Sequence, residues 1–208
     1  MNPETGAPAI RDAATVILLR RQPGATRILM GMRGAQAVFM PSKFVFPGGA
    51  VDPEDMAAPA LPQPDPRLLA EPRPGASVLP HALLACARRE LAEETGLLLH
   101  PAAQPLFVFR AITPPGLARR FDARFFLCDS SDIIGDPDDF SAACDELSHL
   151  HWVPLAEARA LALPFITEVV LAEIGAMLEQ AGDSPLPRPQ TVPFFDNRGP
   201  EPRFSQLA

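Results

Sequence analysis

Proline is the feature of this sequence that most restricts its fold. The chain has 26 prolines among 208 residues, against an average usage of ~5%. Eight lie between residues 53 and 80, and six lie between residues 185 and 202. Because proline lacks a backbone N–H and has a fixed φ, neither segment supports a continuous helix or a central strand. Regular structure is therefore predicted mainly outside these two segments.

The composition is that of a globular chain with an acidic balance. Hydrophobic residues make up 47% and charged residues 21%, close to the average for folded domains. The formal net charge of -7 argues against a broad basic surface for nucleic acid or an anionic membrane. The first apolar run, residues 13 to 19, is too short for a membrane span and follows no basic leader. Three cysteines without a CxxC pair indicate no disulfide framework, so we expect a cytoplasmic protein. The length of 208 residues suits a single domain over residues 1–208.

Hydrophobic patterning predicts short strands before and after a helix. The first two strands form a hairpin around the turn residues Gln22, Pro23 and Gly24. The predicted strands are residues 14–20, 27–33, 44–46, 106–112, 121–128 and 150–153, and the predicted helices are residues 81–95 and 166–181. This order indicates a mixed α/β (α+β) sandwich. Residues 56–79 read as an extended insertion. The proline-rich tail, residues 182–208, is too irregular to assign and either wraps around the domain or extends from it.

The end of the first helix concentrates negative charge where a helix tolerates it least. Glu90, Glu93 and Glu94 lie in its last two turns, where the helix dipole disfavours each carboxylate by about 0.3 to 1 kcal/mol. Residues three and four apart share a face, so these carboxylates can converge on one point. Hard oxygen ligands at this density suit Mg²⁺ or Mn²⁺. The alternative is a solvated acidic helix end that Arg88 and Arg89 neutralise in part.

The same residues resemble the sequence box of the Nudix hydrolase family. That box consists of a glycine, five residues, Glu, seven residues and REUxEExGU, where U is aliphatic. Its second half is matched by Arg89, Glu90, Leu91, Glu93, Glu94, Gly96 and Leu97. Gly49 takes the place of its first glycine and Asp55 that of the first Glu, but 33 residues follow Asp55 in place of seven. The resemblance implies a Nudix-type α/β/α sandwich with a mixed sheet and a proline-rich insertion in the box.

A narrower resemblance concerns the coenzyme A diphosphatases of this family. Residues 46 to 55 match their FPGGxxDxxD pattern, in which Asp55 is expected rather than anomalous. Further likeness to the peroxisomal acyl-CoA diphosphatase branch and its bacterial relatives lies in residues 39 to 41 and 113 to 126. The resemblance as a whole covers roughly residues 14 to 155.

The resemblance also implies roles for individual residues. Glu90, Glu93 and Glu94 would be both metal ligands and catalytic residues, and Arg89, the fourth catalytic residue, would fix the helix end through an ion pair. Glu146 is a candidate for a further ligand, with an ordinary loop acid as the alternative. Gly48 would bring backbone close to the metal, with a plain turn as the alternative. The candidate substrate-binding residues are Arg33, Gly49, Asp52, Asp55, Arg119, Arg120 and Arg124. For the two aspartates the alternative is a turn role, and for the last three arginines it is an ordinary surface position.

Three functions remain open from the sequence. The first is a Mg²⁺- or Mn²⁺-dependent hydrolase that cleaves coenzyme A or acyl-CoA to adenosine 3′,5′-bisphosphate and (acyl-)phosphopantetheine. The second keeps this chemistry but acts on ADP-ribose or another nucleoside diphosphate derivative. The third is a non-catalytic Nudix-fold binding domain, which the intact REUxEE segment disfavours. The insertion is expected to form a lid or a homodimer contact beside the substrate.

Overall fold

The computed structural model describes residues 8–22, 24–60 and 63–208, so Pro23 of the expected hairpin turn lies outside the described residues. Within them the strands are β1 (Ile10–Gln22), β2 (Ala25–Arg33), β3 (Phe44–Val45), β4 (Gly48–Ala50), β5 (Leu98–Leu99), β6 (Leu106–Ile112), β7 (Arg120–Asp129), β8 (Ile133–Ile134), β9 (Leu147–Pro154), β10 (Val192–Asp196) and β11 (Arg203–Leu207). The α-helices are α1 (Pro53–Met56), α2 (Pro80–Thr95), α3 (Leu155–Ala158) and α4 (Phe165–Ala181).

One mixed sheet forms the centre of the described structure. Its main strand order is β11-β10-β6-β7-β1-β2-β3, with β4 paired to β1 and β9 paired to β2. The pairs β1–β7 and β10–β6 are parallel, and the other pairs in this sheet are antiparallel. β5 and β8 form a separate short pair.

Side-chain alternation along β1 divides the core into two layers. Ala14, Val16 and Leu18 pack on the face that α2 covers, with Leu83, Cys86, Ala87 and Leu91 of that helix. Ile17 and Leu19 pack on the opposite face, with Val170, Leu171 and Ile174 of α4. This arrangement confirms the predicted α/β/α sandwich with a mixed sheet. Among the described residues, no helix is long and apolar enough to cross a bilayer.

Both ends of α2 follow the predicted signals. Pro80 occupies the first helical position, where its missing N–H leaves no hydrogen bond unmade. Gly96 ends the helix with φ 76°, and its N–H donates to the Ala92 carbonyl. The N–H of Cys144 donates to the Glu93 carbonyl at 2.8 Å, which anchors the following loop to the helix end.

The described part of the insertion does not take the expected position of a lid beside the substrate, and the alternative of a homodimer contact stays a prediction. The described part of residues 56–79 packs on the α2 face of the sheet, where Leu68 is 1% exposed within the core. Arg73 extends from this segment to Asp12 at 2.6 Å and to Asp122 at 2.7 Å. None of its described residues lines the cavity on the other face. The segment is therefore part of the folded core.

The proline-rich tail contains secondary structure that its sequence did not reveal. β10 pairs in parallel with β6, and β11 pairs with β10, so residues 182–208 extend the central sheet. Val192 and Phe194 are fully buried against the α2 face. The tail also contacts the other proline-rich segment, because Arg67 donates to the Pro189 carbonyl at 2.7 Å.

Candidate functional site

The three glutamates at the end of α2 differ strongly in exposure. The side chain of Glu93 is 56% exposed and that of Glu90 is 12% exposed. Glu94 is only 1% exposed, and it lies one helical turn from Glu90 on the same side of the helix. Glu90 and Glu94 thus lie on one side of the helix at different depths, while Glu93 is the most exposed of the three.

The glycine pair of β4 makes room for these carboxylates. The N–H of Gly48 donates to Oε2 of Glu94 at 2.8 Å. A Cβ at Gly48 would lie 2.5 Å from the Ala14 carbonyl oxygen, and a Cβ at Gly49 would overlap the Glu90 carboxylate. Gly48 therefore requires glycine, because backbone atoms of β1 block a Cβ there, whereas a Cβ at Gly49 would displace the Glu90 carboxylate.

Arg89 joins the two halves of the interrupted sequence box. Its guanidinium donates to Oδ1 of Asp55 at 3.1 Å and to Oδ2 at 2.9 Å. It also donates to Glu90 at 2.9 Å and to Glu93 at 3.1 Å. The hydrogen bond to Asp55 raises the pKa of Arg89, and the nearby Glu90 charge raises it further. The insertion thus leaves the two halves of the box in direct contact.

Asp55 has a structural position rather than the expected substrate contact. It is 4% exposed, receives the paired Arg89 donors, and its Oδ2 accepts the Asp52 N–H at 2.8 Å. Asp52 lies at the cavity wall, where it pairs with Arg11 at 3.2 Å.

Electrostatic strain is concentrated at Glu94. Burial raises its pKa to about 8, the Gly48 N–H opposes this shift, and the charges of Glu90 and Glu146 add to it. Its Oε1 is buried and accepts no hydrogen bond from the residues that the structure describes. Burial also raises the pKa of Glu90, against the attraction of Arg89. A buried carboxylate in this state gains greatly from a nearby cation.

Glu146 approaches the same group from the loop after β8. Its carboxylate accepts from Arg33 at 2.7 Å and is 52% exposed. Its charge acts on both Glu90 and Glu94, so the loop anchored by Cys144 brings it near the end of α2. Glu146 and Glu90 both line the cavity, and the role of Glu146 as a further metal ligand stays a prediction.

The donor set fits a divalent cation, although the side chains now bond to arginines. Within residues 8–22, 24–60 and 63–208, there is no group of three or more His, Cys, Asp or Glu side chains already arranged to bind a metal ion. Arg89 holds Glu90 and Glu93, while Arg33 holds Glu146. The partnerless Oε1 of Glu94 still provides a buried oxygen ligand, and carboxylate oxygens suit Mg²⁺ or Mn²⁺. Glu90, Glu93, Glu94 and Glu146 would hold the ion.

A cavity of about 610 Å³ opens beside these carboxylates on the α4 face of the sheet. Glu90, Glu146 and Arg33 line one part, together with Gly48 and Gly49. Sequence reasoning missed several other lining residues, among them Arg11, Thr15, Phe39, Phe165, Phe195 and Asn197. Their positions depend on pairing between distant strands, and only alternation along β1 hinted that Arg11, Ala13 and Thr15 share a face.

The three arginines near β7 separate into different environments. Arg119 lines the cavity, as a substrate-binding residue would. Arg120 is 7% exposed and donates to the Thr113 and Asn197 carbonyls. Arg124 is 2% exposed and pairs with Asp12 at 2.6 Å on the α2 face. The expected substrate contacts of Arg120 and Arg124 are therefore corrected: both guanidinium groups stabilise the fold.

Comparisons with known proteins agree with this geometry. A family model described as the NUDIX domain matches residues 74–173. Acyl-coenzyme A diphosphatase NUDT19 from Gallus gallus is 33% identical over 128 residues, which cover 46% of this chain and 34% of that protein. The chain therefore matches only about a third of the length of this curated relative.

Solved structures show the same architecture. A NUDIX hydrolase from Alicyclobacillus acidocaldarius has a TM-score of 0.60 at 26% identity, covering 79% of this chain and 90% of that one. The MutT protein from Methanosarcina mazei Go1 has a TM-score of 0.53 at 16% identity, covering 81% and 95%, and supports the fold alone. Since the family model includes the acidic end of α2, and the fold places that end at the cavity, residues 74–173 of this chain are identified as a NUDIX domain.

Proposed function

We propose that this protein is a Mg²⁺- or Mn²⁺-dependent hydrolase that cleaves the diphosphate of coenzyme A or acyl-CoA. The products are adenosine 3′,5′-bisphosphate and (acyl-)phosphopantetheine. The observation that carries this proposal is the buried Oε1 of Glu94, which has no hydrogen-bond partner among the described residues and belongs to a group of carboxylates beside the cavity. The cavity lining combines the carboxylates of Glu90 and Glu146 with arginines and apolar side chains, which suits a substrate with a charged diphosphate and uncharged parts.

Hydrolysis requires a water molecule in line with a phosphorus atom and neutralisation of the phosphate oxygens. Bound Mg²⁺ or Mn²⁺ supplies the positive charge for that neutralisation. Glu90 and Glu94 would hold the ion from the end of α2, and Glu93 and Glu146, which are more exposed, would complete the set. Arg89 fixes the orientation of Glu90 and Glu93, and the Gly48 N–H fixes that of Glu94. One of these carboxylates accepts the proton of the attacking water.

Three observations support a coenzyme A substrate. Residues 46 to 55 have the FPGGxxDxxD pattern, and the Gallus gallus relative is named an acyl-coenzyme A diphosphatase. The cavity also combines exposed arginines with apolar walls. Arg11 and Arg119 are suited to the phosphate groups of the adenosine half, because a guanidinium group donates two parallel hydrogen bonds.

The proposal is tested by incubating the purified protein with Mg²⁺ or Mn²⁺ and a panel of possible substrates. The panel contains coenzyme A, several acyl-CoAs, ADP-ribose and nucleotide sugars, and the products are separated by chromatography. We expect the highest kcat/KM for a CoA species and a loss of at least about 100-fold in Glu94→Gln. Glu179→Gln, on the exposed side of α4, is the matched control and should retain activity.

Two results would contradict parts of this proposal. A preference for ADP-ribose over every CoA species would transfer the function to that substrate class. Full activity in Glu94→Gln would exclude Glu94 as a metal ligand.

A further inference from the structure

An aromatic cluster lies at the end of the cavity away from the carboxylates. Phe165 of α4 is 66% exposed and Phe204 of β11 is 52% exposed. Both rings contact Phe195 of β10, with centroids 6.0 Å and 6.2 Å from it. Phe165 and Phe195 line the cavity, together with the exposed Leu117. Large exposed apolar side chains grouped in this way are typical of a binding surface.

A row of alanines connects this cluster to the catalytic end. The strand register pairs Ala50 with Ala13, Ala13 with Ala123, and Ala123 with Ala111. Ala111 then pairs with Phe195, which pairs with Phe204. Paired residues point to the same face of a sheet, so four small side chains form a continuous floor. All four alanines and Phe195 line the cavity.

Taller side chains flank this floor on both sides. Thr15 and Phe125 form a parallel row two residues further along β1 and β7, and Arg11 and Phe121 form another two residues before. All four of these flanking residues line the cavity. The alanines therefore make the floor of a channel. It crosses four inter-strand spacings from β4 to β10, about 19 Å in total.

Charge and apolar surface are separated along this channel. Its first residue, Ala50, follows Gly49, which contacts the Glu90 carboxylate, and Arg11 pairs with Asp52 in the same region. The far end consists of phenylalanine rings. A substrate with a charged nucleotide half and an uncharged half would thus keep its charges near Arg11 and extend its uncharged half toward the rings.

We propose that the alanine-floored channel binds the pantetheine arm of an acyl-CoA, and that Phe165, Phe195 and Phe204 bind its acyl chain. The inference rests on the proposed function, which it extends to the orientation and class of the substrate. Long acyl groups bury more apolar surface against the three rings than short ones do. The protein therefore selects acyl-CoA over free coenzyme A.

Binding measurements without turnover test this orientation. Isothermal titration calorimetry in EDTA compares coenzyme A with butanoyl-, octanoyl- and dodecanoyl-CoA. We expect the affinity to rise by about two- to fourfold for each added methylene that the rings cover. Ala111→Leu, which raises the channel floor, should weaken dodecanoyl-CoA binding at least about tenfold and leave adenosine 3′,5′-bisphosphate binding unchanged.

A second variant excludes a simple folding defect. Phe204→Ala changes a half-exposed side chain and should reduce the dependence on chain length without changing the melting temperature. Leu98→Ala removes a similarly exposed side chain on β5, away from the channel, and is the matched control. Affinity that does not change with chain length would overturn the inference, as would an equal loss of adenosine 3′,5′-bisphosphate binding in Ala111→Leu.

The same data separate this inference from the proposed function. Chain-length-dependent binding by a protein that hydrolyses no CoA species would contradict the proposed activity but retain the channel. Hydrolysis of coenzyme A by a protein whose binding affinity does not depend on the acyl chain would support the proposed activity but contradict the channel.

Discussion

Glu94 shows how a residue in a recognisable motif acquires its chemistry from burial. Its position in the REUxEE segment is visible in the sequence, but its 1% exposure is a property of the folded chain. One carboxylate oxygen accepts the Gly48 N–H and the other has no partner among the described residues. The negative charge is therefore unfavourable in the metal-free protein and becomes favourable beside a cation.

This imbalance predicts a pH-dependent stability in the absence of metal. The pKa of Glu94 rises from 4.5 in the unfolded chain to about 8 in the folded protein. A group whose pKa rises on folding contributes its full stability below pH 4.5, and that contribution is lost as the pH rises through about 8. At pH 9 in EDTA, Glu94→Gln should therefore be more stable than the natural protein by about 3 to 5 kcal/mol.

Urea unfolding between pH 5 and pH 9 measures this difference. Glu93→Gln, at the 56% exposed neighbour, is the control and should follow the pH dependence of the natural protein. Parallel stability curves for Glu94→Gln and the natural protein would contradict the assignment of the strain to Glu94.

The insertion illustrates how an element with little regular structure can belong to the core. Asp122 is fully buried and accepts from Arg110 at 2.8 Å and from Arg73 of the insertion at 2.7 Å. Arg110 also donates to the Ala70 carbonyl at 2.5 Å, and Arg124 donates to the Leu68 carbonyl at 3.3 Å. Backbone carbonyl groups of the insertion thus accept hydrogen bonds from arginine side chains that are buried against the sheet. Without it, these charges would lose partners at a high energetic cost.

A pair of adjacent leucines tests the packing of the insertion. Leu68 is 1% exposed in the core, whereas Leu69 is 39% exposed. We expect Leu68→Ala to lower the free energy of unfolding by about 2 to 5 kcal/mol, because it leaves a cavity. Leu69→Ala should change it by less than about 1 kcal/mol. Equal effects of the two substitutions on urea unfolding would show that the segment is not docked as described.

At the scale of the whole molecule, the two proline-rich segments stabilise each other and the sheet. Arg198, next to β10, donates to the Pro72 carbonyl at 3.3 Å, and Arg203 of β11 pairs with Glu71 at 3.3 Å. β10 also covers the edge of β6, and it places Phe194 in the core and Phe195 at the cavity. The tail therefore contributes both to stability and to the shape of the candidate site.

Removal of the tail tests this contribution. A chain that ends at Asp183 lacks β10 and β11, exposes the β6 edge and loses the fully buried Phe194, so we expect aggregation or loss of cooperative unfolding.

In the full chain, Phe194→Ala should lower the free energy of unfolding by about 3 to 5 kcal/mol. Phe204→Ala, at a half-exposed position, should change it by less than about 1 kcal/mol. Size-exclusion chromatography and circular dichroism measure these effects, and a truncated chain with an unchanged melting temperature would contradict them.

The sequence by itself determined the local features of this protein. Pro80 and Gly96 bound α2, alternation marks the strands, and helical spacing brings Glu90 and Glu94 to one side, because these effects act over a few residues. Tertiary structure alone decided which charged groups are buried and which face the cavity. The sequence alone does not distinguish Arg119 from Arg124. In the folded chain, Arg119 lines the cavity, whereas contacts with distant segments bury Arg124. The positions of the insertion and of β10 depend in the same way on pairing between residues far apart in the chain, which local patterns do not specify.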